Sequence, residues 1–149
     1  MTPRSERLQV VLNLEKRRED RALEVLGRAR QNLDGQQRQL DELRHYLSDY
    51  QQQVRQSQQG AVSVARLQGW QAFIGQLETA IAGQQQSVDE ATRQFEKARD
   101  QWRQAYERRK GMARHIEACR AEEARADDLR EQKQADEAAS RLHARRRLS

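Results

Sequence analysis

The sequence predicts an all-α protein: two long helices in an antiparallel coiled-coil hairpin, with the second helix overhanging the first at the C-terminus. Three observations carry that expectation. The chain has 149 residues, of which 34% are charged and only 36% hydrophobic, too few apolar groups for an ordinary globular core. Those apolar residues nevertheless recur at alternating steps of three and four, the spacing of a coiled-coil seam. The spacing lapses once, near Gly60, so two periodic segments can fold back on each other.

The first helix is expected over 3–56. Pro3 is the only proline, and at a helix start its missing N–H costs nothing. The seam reads Ala22, Leu26, Ala29, Leu33, Gln36, Leu40, Leu43, Leu47, Tyr50 and Val54. Extended backwards, it meets Glu19 and Glu15 before recovering at Leu12 and Leu8, so it weakens toward the N-terminus. Gly27 and Gly35 each cost about 1 kcal/mol relative to Ala and do not stop the helix. A loop is expected over 57–63, where Ser and Gly gather and Ser63 is placed to cap the second helix.

The second helix carries Leu67, Trp70, Ile74, Leu77, Ile81, Gln84, Val88, Ala91, Phe95, Ala98, Trp102, Ala105, Arg109, Met112 and Ile116 on its seam. Folding about residue 60 pairs positions whose numbers sum to 120 or 121. Tyr50 then meets Trp70, Leu43 meets Leu77, Leu33 meets Val88, and Leu8 meets Met112. Gln36 meets Gln84, either as a polar layer that penalises slipped registers or as an ordinary solvated pair. Toward the open end the expected layers turn polar: Glu19 with Trp102, Glu15 with Ala105, Leu12 with Arg109. At 1.5 Å per residue the paired part spans roughly 75–80 Å. Pairing is expected over 64–116 of the second helix, leaving 117–145 as a partly frayed overhang. A single helix of that composition is marginal alone and awaits a partner.

Chemistry finds no foothold in this pattern, and no enzyme, cofactor or metal is expected. His45, His115 and His143 are scattered, and the seven glycines form no phosphate loop. Cys119 continues the seam and reads as a small apolar filler rather than a nucleophile. The net charge of +5 is spread over interleaved acids and bases, which reads as a solvated surface. The start of the chain lacks the pattern of a signal peptide and no stretch approaches a membrane span, so a cytoplasmic protein is expected.

Binding is the better prospect. Aromatic residues are 5% of the chain, yet Tyr46, Tyr50, Trp70 and Phe73 gather near the loop in the folded register. Tyr50 and Trp70 are seam residues. Tyr46 and Phe73 lie one position outside the seam, where they either form an exposed contact patch or broaden the core.

The run Tyr46-Leu47-Ser48-Asp49-Tyr50, the loop at Gly60 and the run from Trp70 through Phe73-Ile74, Leu77 and Ala80-Ile81 resemble the tip of the FliJ family of flagellar type III export proteins. Trp102, Glu131-Gln132-Lys133 and Asp136-Glu137 with Ala139 extend the resemblance over nearly the whole chain. The resemblance implies a non-enzymatic stalk of the flagellar export apparatus. Its open end would enter the hexameric export ATPase (FliI), and its tip side would contact the cytoplasmic domain of the export-gate membrane protein (FlhA). It also implies an escort role for export chaperones and a peripheral place at the inner membrane. Gate binding would fall on Gln39, Leu43, Tyr46, Tyr50, Phe73, Leu77, Ala80 and Gln84. Gln84 stands where some relatives carry His. ATPase binding would fall on Leu8, Val11, Leu12 and Leu14, and on Arg130, Gln132, Lys133 and Asp136. Two other readings share the shape: the stalk of a virulence injectisome, and a scaffold holding nucleic acid or anionic membrane through its arginines, which would show steep salt dependence.

Overall fold

In the computed structural model, which describes residues 2–148, the chain forms two helices, α1 (Arg4–Ser57) and α2 (Val64–Leu148). They pack against each other as an antiparallel, all-α hairpin. The carbonyl of Pro3 opens α1 by accepting the N–H groups of Glu6 (3.1 Å) and Arg7 (3.3 Å). α1 stops where Gln58 N–H bonds back to the Val54 carbonyl. Ser63 then caps α2: its Oγ accepts the Arg66 N–H at 3.2 Å, and its carbonyl accepts that of Leu67. The turn uses no left-handed backbone, since no described residue has positive φ.

The chain divides into two compact units, a loop unit of Arg21–Arg103 and a terminal unit of Met1–Asp20 with Gln104–Ser149. In the loop unit every seam position expected from the 3–4 spacing is buried or half-buried. Leu40 is the most enclosed, at 1% exposure, with Val54, Leu77, Val88, Ala91 and Ala98 also buried. The polar layer forms as well. The Gln84 Nε2 donates to Gln36 Oε1 at 2.7 Å and to the Gln36 carbonyl at 3.0 Å. This is a direct, part-buried amide pair between the two helices.

In the terminal unit Leu12, Ile116 and Cys119 are buried, and the expected polar layers rearrange. Arg109, expected opposite Leu12, turns to Glu19, with Nε at 2.7 Å from Oε2 and an Nη at 3.4 Å from Oε1. The long polar side chains of this unit thus meet partners about a heptad beyond their own expected layer. Arg120 meets Gln9 in the same way at 3.3 Å.

Pairing also runs two turns past its expected end at Ile116, because Glu123 hydrogen-bonds Ser5. The unpaired part of α2 thus begins at Ala124 rather than at residue 117. It stays helical through Leu148, with every described residue exposed.

Candidate functional site

Two surfaces gather the residues singled out from the sequence, one in each unit. In the loop unit, heptad spacing turns Leu43 and Tyr50 of α1 and Leu77 of α2 toward the helix interface. Tyr46 and Gln39 fall on its flank. Phe73 packs edge-on between two tyrosines, with ring centroids 4.6 Å from Tyr50 and 6.2 Å from Tyr46. Edge-to-face contacts of this kind stiffen an aromatic cluster. Phe73 is half-buried, whereas Tyr46 keeps 52% exposure. The two flanking aromatics thus divide the roles left open by their spacing: Phe73 broadens the core and Tyr46 stands out from it.

Beside Tyr46 lies an open groove of about 530 Å³ lined by Gln39, Glu42, Leu43, Tyr46 and Gln84. A second hollow, of about 390 Å³, is lined by Asp41, Glu42, His45, Tyr46 and Asp49. Tyr46 is therefore the shared wall of an amide-lined groove and an acidic one. Gln84 is half-buried and its amide nitrogen already serves Gln36. Ala80 is exposed, and Leu77 lies in the core at 8% exposure, where it supports the groove from beneath. Glu42 was not singled out from the sequence. It lies next to Leu43 and one turn before Tyr46, the only signal that points to it.

In the terminal unit the outer face of α1 leaves Val11 and Leu14 exposed at 36% and 41%, and Val10 at 72%. With Asn13 and Arg17 these residues line a hollow of about 310 Å³. Leu8 is half-buried and Leu12 buried, so these two face the seam and hold the patch in place. Val10 was missed, although its spacing of four from Leu14 puts both on one outer face. Arg130, Gln132, Lys133 and Asp136 are all exposed on the projecting helix. Arg130 is ion-paired to Asp127, and Leu129 and Leu142 also face solvent there.

Among the described residues no group of His, Cys, Asp and Glu is arranged to hold a metal ion, and no helix is long and apolar enough to cross a membrane. Cys119 Sγ lies 3.9 Å from His115 Nε2, one turn away on the same helix. The two surfaces bring together aromatic, aliphatic, amide and charged groups.

A family model described as the flagellar FliJ protein matches residues 4–148. No curated protein and no solved structure matches the chain.

Proposed function

The chain belongs to the flagellar FliJ family, and on that basis we propose that it is a non-enzymatic stalk of the flagellar export apparatus. In this reading the loop unit docks on the cytoplasmic domain of the export gate, FlhA. The terminal unit enters the ring of the export ATPase, FliI. Export chaperones are a further class of partner, and the protein works at the cytoplasmic face of the inner membrane without entering it.

The observation that carries the reading is the aromatic groove. In a chain this charged, a half-exposed tyrosine held by Phe73 beside an amide-lined groove has the composition of an interface hot spot. Gln39, Leu43, Tyr46 and Gln84 line that groove, and Tyr50, Phe73, Leu77 and Ala80 frame it. The ATPase side is supported by the exposed aliphatic patch at Val11 and Leu14 and by the projecting helix that bears Arg130, Gln132, Lys133 and Asp136.

The test is a double substitution, Tyr46→Ala with Phe73→Ala. Truncating hot-spot aromatics of this kind costs roughly 2 kcal/mol or more in binding, so gate affinity should fall at least tenfold and swimming should fail while helicity by circular dichroism is kept. Normal gate binding and swimming in a helical double variant would remove the reading.

A further inference from the structure

The last layer of the terminal unit is closed by one carboxylate. Glu123 Oε1 accepts the backbone N–H of Ser5 at 3.0 Å, and Oε2 accepts the Ser5 hydroxyl at 2.7 Å. The first N–H groups of any helix have no carbonyl one turn earlier to bond. In α1 the Pro3 carbonyl takes those of Glu6 and Arg7, and Glu123 takes that of Ser5. The start of α1 is therefore capped by a side chain of α2, at a position where the helix dipole favours an anion.

Ser5 is 4% exposed, the buried polar side chain among the described residues. On the loop side of this layer lie the buried Cys119, Ile116 and Leu12; beyond it every described residue of α2 is exposed. The exposed ion pairs of the projecting helix, Arg130 with Asp127 and Arg141 with Glu137, join residues of one helix and cannot resist separation of two. The hydrogen bonds from Ser5 also hold the Glu123 carboxyl below the ordinary glutamate value, outweighing its partial desolvation.

We propose that Glu123 is a clasp: it caps α1 from α2, sets the point where pairing stops and the projecting helix begins, and so presents Val10, Val11 and Leu14 together with that helix as one docking surface. The docking half rests on the ATPase-binding reading above; the clasp itself does not. Glu123 is a positioning residue in this scheme and need not touch the partner.

Hydrogen exchange on the full chain separates the two halves. A lost cap weakens the helix end by about a factor of ten at most sites. In Glu123→Ala, amides of residues 5–12 should therefore exchange about tenfold faster, with residues 36–54 unchanged. Ser5→Ala, which keeps the backbone bond and loses the hydroxyl one, should give a smaller rise at the same amides. Unchanged exchange at 5–12, or equal acceleration across both segments, overturns the clasp.

The second arm measures binding to purified export ATPase. Glu123→Ala should bind about tenfold more weakly, while Glu122→Ala, at an exposed neighbouring position, should bind like the parent. Faster exchange with undiminished binding overturns the docking half. A parent chain that does not bind the ATPase overturns the stalk reading instead and leaves the clasp to the exchange result.

Discussion

The loop unit and the terminal unit share one heptad rule and are held by a different balance of forces: the loop unit has a cross-helix tie of its own, Arg44 to Gln85 at 3.1 Å, but more buried apolar layers. In the loop unit the seam is filled by Leu40, Leu77, Val88 and Ala91, with the Gln36–Gln84 amide pair as its polar layer and the aromatic cluster at its flank. In the terminal unit the apolar layers at Leu12, Ile116 and Cys119 are joined by polar ties: Glu19 to Arg109, Gln9 to Arg120 and Ser5 to Glu123. Apolar burial is nearly indifferent to pH and salt, whereas charged ties are sensitive to both. One repeat thus yields a unit whose geometry is set by packing and another whose geometry is open to adjustment by its surroundings. If the proposed stalk role holds, the groove that docks on the gate would need the first property, and the helix end that enters the ATPase would be served by the second.

Substitutions probe this contrast, and the greatest loss is expected in the loop unit. Leu40→Ala removes a side chain that is 1% exposed and should cost about 3 kcal/mol in urea unfolding. A loss below about 1 kcal/mol would show that the loop unit is not packing-dominated.

A smaller effect of opposite sign is expected in the terminal unit. Glu15 occupies a seam position; its Oε1 accepts from Arg18 at 3.1 Å, while its Oε2 is buried with no hydrogen-bond partner. Glu15→Leu should therefore stabilise the protein by about 1 kcal/mol, since it removes an unsatisfied acceptor and adds apolar burial. A destabilised variant would mean that the acid is held by an interaction stronger than the Arg18 contact.

The weakest effect is local and concerns pH. The Ser5 hydrogen bonds lower the folded-state value of Glu123 below its ordinary 4.5. The sign comes from linkage: this contribution is fully present above the unfolded value and is lost as pH falls through the lowered folded one. Acidification should thus lower the protection of amides 5–12, relative to their intrinsic exchange rates at each pH, before it touches that of 36–54. In the loop unit another lowered carboxyl, Glu90, is held by Arg93 and Gln94 of its own helix, so its protonation leaves the pairing of helices intact. Equal acid sensitivity in both units would erase the distinction between them.

Much of this was legible in the sequence because heptad spacing is a strong signal. The seam and the Gln36–Gln84 layer come from counting threes and fours, and the loop at Gly60 and the Ser63 cap from the Ser and Gly that gather where that spacing lapses. The polar ties did not, because layer counting places Arg109 beside Leu12 and leaves Glu123 unpaired, whereas in the structure both reach partners about a heptad nearer the loop. Glu42 and Val10 were hidden for a different reason. Which flanking residue borders a groove depends on the rotation of each helix about its axis, and seam spacing does not report that for outer positions. The roles of Tyr46 and Phe73 were open at the same level until their burial separated them.

That two surfaces serve two partners can be decided by site-specific photocrosslinking. A photoreactive phenylalanine analogue replaces Tyr46 in one variant and Leu14 in another, and each is irradiated with the gate domain and the export ATPase present together. The expected result is a gate adduct from position 46 and an ATPase adduct from position 14. Adducts to the same partner from both positions, or the reverse assignment, would contradict the division of labour between the units.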